Sequence, residues 1–374
     1  MESGGVSKSL SSLLNVIDTR RFDVWVFIVN PTGVFMELLP KDINLITDFK
    51  TQLVFSKFPN NIISLISNRF FSAAFLRLFA AIIMQFNKGY GALILSKLIH
   101  KITAEFDLAV DFNGQQQLYY LVNAIKSKVK VSFFHSDYSK WDFYYKTDKK
   151  YYPKLDKIFT VSPTCVAEMK QYFPLLSSKI DLFENITSVD FIKRLSDNKQ
   201  VQLEENAILS IGHLCQAKGT SQALAVAFEL KKAGLNFTWY FVGQNSHDAD
   251  YESLVNQFEL QNNVVFVGVT SNPYPYLKQA KVLVHLSKFE GKSIALDEAK
   301  LLCKPILVTQ FSTVTDQFRQ HYNATITDFK TENITKNLID LLTNETLRNL
   351  YATNLKKECF GNESEIEKLY QLIE

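Results

Sequence analysis

An alternation in the second half of the chain limits the possible folds most. Ala207–Ile211 is a short apolar run closed by Gly212. Ser221–Lys232 then carries Leu224, Ala227, Phe228 and Leu230 at helical spacing and stops at Gly234. Phe237–Val242 reads as a strand, Tyr251–Leu260 as a helix and Val264–Val267 as a strand. Pro273–Gln279 reads as a short helix, Val282–Leu286 as a strand and Ile306–Thr309 as another. Strands that alternate with helices over this length imply a parallel sheet with helices on its faces.

The first half repeats the rhythm less cleanly. Ser7–Ile17 has helical spacing, Asp23–Val29 reads as a strand, and Asp107–Val110, Lys130–Phe134 and Lys157–Val161 read as buried strands. The polar, charged segment Asp190–Glu205 separates the two blocks. The expected division is therefore an N-terminal α/β domain over 1–190 and a C-terminal one over 191–374, with the last helix packing back on the first. Ligands are expected where the carboxyl ends of strands face a crevice. A domain of this kind should begin with a strand, yet the chain opens with E-S-G-G-V-S-K-S-L, a glycine turn entering a helix. Either the domain starts unusually, or a first strand of roughly 5–6 residues is lost through a start misplaced to an internal Met.

Composition excludes several classes. Of 374 residues, 47% are hydrophobic and 21% charged, enough apolar material for two cores. A net charge of +3 argues against a dedicated nucleic-acid binder. The cysteines, Cys165, Cys215, Cys303 and Cys359, are far apart, so no metal knuckle or redox pair is expected, and a reduced, cytosolic protein is. Met1 leads straight into polar residues without the pattern of a signal peptide, and no uncharged apolar run is long enough to span a bilayer. Between Phe55 and Lys101, aromatic residues mingle with Arg69, Arg77, Lys88 and Lys97. This region reads either as core-facing helices with solvated charges or as a basic amphipathic surface on an anionic membrane.

The residues that could carry chemistry fall in a few segments. In F-E-G-K-S-I-A-L-D-E-A-K, Phe289 to Lys300, seven residues separate Glu290 from Glu298. Carboxylates accept hydrogen bonds from hydroxyls, and a glycine before a helix exposes N–H groups to anions. Two solvated glutamates helped by the helix dipole are the plain alternative, but that leaves a Glu-Gly before an apolar helix unexplained. In S-I-G-H-L-C-Q-A-K-G-T, Lys218 sits where a helix begins, a position suited to phosphate. In V-S-F-F-H-S-D-Y a buried strand delivers His135 at its carboxyl end, a place where a lone histidine is usually structural. Gly4 and Gly5 let backbone approach a phosphate or an acceptor. Asp248-Ala-Asp250 spells a metal-like D-x-D but reads as a helix N-cap, so no metal is assigned.

The pattern S-x-x-E-G-x-S-x-x-x-x-E-A followed by C-K-P-I-L-V-T resembles the retaining GT-B glycosyltransferases of family 4. The Gly212-His213-Leu214…Lys218-Gly219 segment is similar to that family's donor-phosphate loop, with His213 where the family usually has Arg. Y-F-V-G, V-V-F-V-G and N-P-Y-P-Y-L-K-Q-A-K fit in order, and the match is close from Ile208 to about Gln317. The resemblance implies two Rossmann-like domains whose parallel sheets face an inter-domain cleft. It implies that Glu298 accepts from the ribose hydroxyls of a nucleotide sugar and that Glu290 holds the sugar. The backbone N–H groups of Gly291, Lys292 and Ser293 would meet sugar hydroxyls or the β-phosphate. Lys218 and His213 would meet the diphosphate, residues around Gly268–Tyr274 would line the base pocket, and His135 would face the donor sugar.

The implied activity is metal-independent transfer of a sugar, with retention, from a UDP-sugar to a glycan or lipid-linked acceptor. No cofactor beyond the donor is expected, and no nucleic acid. The setting would be capsule, exopolysaccharide or teichoic acid synthesis in the cytoplasm, on the inner face of the membrane. The alternatives are a non-catalytic glycosyltransferase-like partner protein and a GT-B-fold sugar-nucleotide epimerase, which would need no acceptor.

Overall fold

The computed structural model describes residues 4–197, 201–358 and 361–374; Met1, Cys359 and three residues of the polar border segment lie outside them. The chain divides into two compact units. The first holds Leu13–Glu184 and Ser364–Glu374, and the second holds residues 4–12 and Asn185–Glu363. The sequence reading sets the border at 190/191, whereas the units part at Glu184/Asn185. Asn185 is already bonded inside the second unit: its Oδ1 accepts from Ser9 Oγ at 2.7 Å and its carbonyl from Asn362 Nδ2 at 3.1 Å. The C-terminal residues close the first unit. The Tyr370 hydroxyl accepts from Asp18 N at 2.9 Å, and its ring stacks on Phe22.

The first unit has a parallel pair, β1 (Trp25–Phe27) and β2 (Asn44–Ile46). Beside it in sequence come β3 (Glu105–Asp111), β4 (Lys126–Phe134), β5 (Lys157–Thr160) and β6 (Ile180–Leu182), a parallel sheet in that order. Among the described residues no strand precedes the opening helix, Gly5–Leu14. Four helices, Phe49–Phe55, Asn60–Ser67, Phe71–Phe86 and Lys88–Ser96, fill the apolar, basic region.

The second unit is built on β7 (Ala207–Ile211), β8 (Thr238–Val242), β9 (Val264–Gly268), β10 (Val282–His285), β11 (Ile306–Thr309) and β12 (Thr325–Thr327). Their order across the sheet is β12-β11-β10-β7-β8-β9, all parallel. Alternate residues enter opposite cores. Ile208, Val282, Val284 and Leu307 pack with Trp239, Leu224 and Leu338, while Leu209, Leu283, Ile306 and Val308 pack with Leu277, Leu296 and Ala299. Burial on both faces is why these strands read as unbroken apolar runs. From β7 the chain moves outward to β8 and β9, then returns to lay β10 on the other side of β7. Open α/β sheets form a ligand crevice at such a reversal, beyond the carboxyl ends of the two strands.

Backbone packing beneath that crevice is tight. Gly243, at the end of β8, has φ 155°, and a Cβ there would stand 1.8 Å from the Gly212 carbonyl oxygen. Gly234 caps the Thr220–Lys232 helix with φ 74° and has open space around it. Gly234→Ala should therefore cost only the left-handed backbone penalty, about 1 kcal/mol. Gly243→Ala adds a backbone clash and should cost more than about 3 kcal/mol. Urea unfolding of both variants tests this, and equal losses would contradict the packing.

Candidate active site

The two strands at the reversal deliver two loops that are fastened together. Lys288 N donates to the Ala217 carbonyl at 2.9 Å. Gly219, at φ 74°, lies so close to Leu286 that a Cβ would stand 2.3 Å from its carbonyl oxygen. This contact brings Lys218 from one loop to Glu290 in the other, with Nζ 2.5 Å from Oε1. The same oxygen accepts from Ser287 Oγ at 2.6 Å and lies 2.7 Å from His285 Nε2. An ionised carboxylate only accepts, so with Glu290 charged His285 carries its proton on Nε2. Glu290 is 9% exposed. Burial alone would raise its carboxyl, but the Lys218 ammonium and the His285 hydrogen bond outweigh it and hold it below the usual carboxylate range.

Glu298 sits in the second turn of the Ile294–Leu301 helix and leans back toward its start. It is 2% exposed. Its Oε1 accepts from the Tyr274 hydroxyl at 2.8 Å and pairs with Lys8 Nζ at 2.6 Å. Its Oε2 is buried and has no hydrogen-bond partner among the described residues. An acceptor in that condition is costly unless a ligand supplies the donor.

The other residues singled out in the sequence are placed as follows. His213 and Lys218 line a pocket of about 370 Å³, including its open mouth, with Gly212, Thr220 and His285. Gly4 backs onto His213, where a Cβ would lie 3.7 Å from Nε2, and Gly5 backs onto Ile294. Gly291 is buried in the loop, and Lys292 Nζ lies 3.8 Å from Asp297 Oδ2. The Ser293 amide, expected to meet the ligand, is engaged within the protein. It donates to Gln317 Oε1 at 3.2 Å, and Gln317 Nε2 in turn donates to the Ser293 carbonyl and Asp297 Oδ1. Lys218 likewise spends a donor on Glu290. In the first unit, His135 follows β4 with its ring against Phe112 and Phe133. Asp250 caps the Tyr251–Gln257 helix by accepting from Ser253 N, and Asp248 accepts from Gln216 N and the Tyr251 hydroxyl. Both therefore fix local backbone.

Sequence reasoning missed His285, Ser287, Gln317 and Lys8. For His285 the signal was there: a histidine inside V-L-V-H-L, an otherwise apolar strand, needs a polar partner when buried.

Glu290 predicts a pH signature. A carboxyl depressed by folding adds stability above its unfolded value, about 4.3, and that contribution is lost as pH falls through the folded value. Glu290→Gln should lower unfolding free energy at pH 7 by about 2 kcal/mol. The gap to wild type should be constant above about pH 5 and narrow below about pH 4. Parallel stability profiles in urea from pH 7 to pH 3 would refute the charged pairing.

Residues 191–358 match the family described as "Glycosyl transferases group 1". An uncharacterized glycosyltransferase of Methanocaldococcus jannaschii is 23% identical over 171 residues, 44% of this chain and 42% of that protein. The N-acetylgalactosamine-N,N'-diacetylbacillosaminyl-diphospho-undecaprenol 4-alpha-N-acetylgalactosaminyltransferase of Campylobacter jejuni is 25% identical over 210 residues, 55% of this chain and 56% of that one. The chain thus matches about half the length of these curated relatives. Anabaena HepE, solved in complex with UDP and glucose, superposes with a TM-score of 0.71 at 15% identity, covering 99% of this chain and 97% of its own. The fold is of the GT-B type, and residues 191–358 are similar to the group 1 glycosyltransferases.

Proposed function

We propose that the crevice beside Lys218, Glu290 and Glu298 binds the nucleoside diphosphate part of a UDP-sugar. The chain then transfers the sugar, with retention, to a hydroxyl of a glycan or lipid-linked acceptor. The observation that carries this reading is Glu298 Oε2, a buried carboxylate oxygen that finds no donor among the described residues. A ribose hydroxyl supplies one. Lys218 has three donors and gives one to Glu290, so it can also serve a phosphate oxygen. The ligands in the HepE structure support UDP, and the diphospho-undecaprenol in the Campylobacter jejuni relative's name supports a lipid-linked acceptor.

In this mechanism Glu290 orients the sugar and does not attack it. Three donors converge on its Oε1, which makes it a poor nucleophile for the covalent route of retaining hydrolases. The bond from the anomeric carbon to the phosphate oxygen breaks while the acceptor oxygen bonds to that carbon on the same face. The acceptor proton passes to the leaving phosphate oxygen. Lys218 and His213 stabilise the departing diphosphate, so that rate comes from positioning and charge stabilisation. His135 is the first unit's candidate for the donor sugar. The reaction as written uses no metal or cofactor, and the setting proposed is capsule, exopolysaccharide or teichoic acid assembly at the inner face of the membrane.

The membrane part has its own support. Phe71, Phe75, Phe79, Ile82 and Phe86 form one stripe along the Phe71–Phe86 helix and are 62%, 68%, 43%, 51% and 85% exposed. Ala73, Ala74 and Ala80 face the core instead. No acidic residue occurs between Asp48 and Glu105, while Lys57, Arg69, Lys88 and Lys97 are exposed there. Apolar stripe and unopposed cations fit an anionic bilayer surface. Among the described residues no helix is long and apolar enough to cross a membrane.

Two measurements test the proposal. UDP at a hundredfold over its dissociation constant should stabilise the chain by about 2.7 kcal/mol, a melting shift of several degrees. Lys218→Ala should weaken UDP binding at least about tenfold, the loss of one charge-assisted hydrogen bond. No shift with any nucleoside diphosphate would sink the donor site. Conversion of donor without acceptor would identify an epimerase, and binding without turnover a partner protein. Separately, the chain should sediment with phosphatidylglycerol vesicles and not with phosphatidylcholine ones, and a Phe75→Ser, Phe79→Ser, Phe86→Ser variant should stay in solution. Equal behaviour with both lipids would remove the membrane role.

A further inference from the structure

The opening helix contributes a residue to the donor site that no glycosyltransferase motif in the second half of the chain includes. Residues 4–12 belong to the second unit. Lys8 is 13% exposed at its side chain, lies 2.6 Å from Glu298 Oε1 and stands 4.8 Å over the Tyr274 ring. Its neighbour Ser9 donates to the buried Asn185, which reaches the Lys292 carbonyl at 3.4 Å. Gly5 lies against Ile294, the first residue of the helix that carries Glu298. The helix is thus fastened at three successive points to the segment that holds the carboxylate.

We infer that Lys8 is a positioning residue for nucleotide binding: it holds Glu298 as an oriented anion whose second oxygen receives the ribose hydroxyls. This inference rests on the donor-site reading above. A carboxylate at 2% exposure is strongly disfavoured without a counter-charge, and among the described residues Lys8 is the cation paired with it. Lys8 and the Tyr274 hydroxyl both bind Oε1, which fixes the rotamer and leaves Oε2 as the acceptor. A charged carboxylate accepts at both oxygens and donates at neither. It therefore favours a ligand that brings hydroxyls over one that lacks them. Lys8 acts through Glu298 and has no role in bond breaking.

The test compares UDP with 2′,3′-dideoxy-UDP by calorimetry on the full chain, in wild type, Lys8→Met and Lys8→Arg. Wild type should prefer UDP by about tenfold or more, as expected of hydrogen bonds to a charged group. Lys8→Met should cut that preference to about threefold or less, chiefly by weakening UDP, and Lys8→Arg should keep most of it. If Lys8 only braces the fold, Lys8→Met weakens both ligands equally and the ratio stays, which overturns the inference. If Lys8 blocks the ribose, Lys8→Met binds UDP more tightly, which overturns it as well. Should Lys8→Met not fold, Lys8→Gln reads the same ratio. A wild type that binds both ligands without preference defeats the Lys8 inference alone, whereas one that binds neither defeats the donor-site reading on which it stands.

Discussion

Two carboxylates are buried at the carboxyl edge of the second sheet, and the surrounding structure answers the electrostatic problem they pose. Moving an anion out of water is expensive, and a single counter-charge seldom compensates unless hydrogen bonds complete the shell. Glu290 meets the requirement with Lys218, His285 and Ser287 on one oxygen. Those three groups come from the end of β10 and from two loops, which explains why the loops are locked by Gly219 against Leu286 and by the Lys288–Ala217 hydrogen bond. A glycine with no freedom to become anything else, a backbone bond between loops and a histidine inside an apolar strand are all consequences of keeping one carboxylate charged.

Glu298 is solved differently, and the difference is informative. Its Oε1 is shared by Lys8 and Tyr274, while Oε2 has no partner among the described residues. A structural carboxylate would be expected to satisfy both oxygens, as Asp148 does in the first unit with the hydroxyls of Tyr119 and Tyr138, each at 2.7 Å. Asp148 is a completed network and needs no ligand. Glu298 is half of one. The contrast separates a carboxylate that holds a core together from one whose shell is incomplete among the described residues.

How much of this was legible in the sequence follows from the physics of each element. The strands β7, β10 and β11 were plain because burial on both faces removes polar alternation and leaves a run that few other structures produce. β2, β6 and β12 are three residues each, too short to show a period. The Glu290–Glu298 pair was visible because its members are close in sequence. Lys8 was not, since 290 positions separate it from Glu298 and nothing local marks a helical lysine as buried. The fate of the Ser293 amide was hidden for the same reason, as Gln317 lies in a different segment.

The apolar helices of the first unit show where pattern reading reaches its limit from the other side. Phe71, Phe75, Phe79, Ile82 and Phe86 recur at helical spacing, and that spacing is the ordinary mark of a face turned to a core. Periodicity reports that a helix has an apolar face, but it does not say what covers it. Here the core is served by the small residues Ala73, Ala74 and Ala80, and the large aromatics point outward. The clue lay in residue size and in charge: alanines at the packed positions, and a stretch from Phe49 to Ala104 with cations and no acids. A solvated helix face gains from mixed charges that pair along it. One that carries a single sign beside exposed phenylalanines lacks that gain.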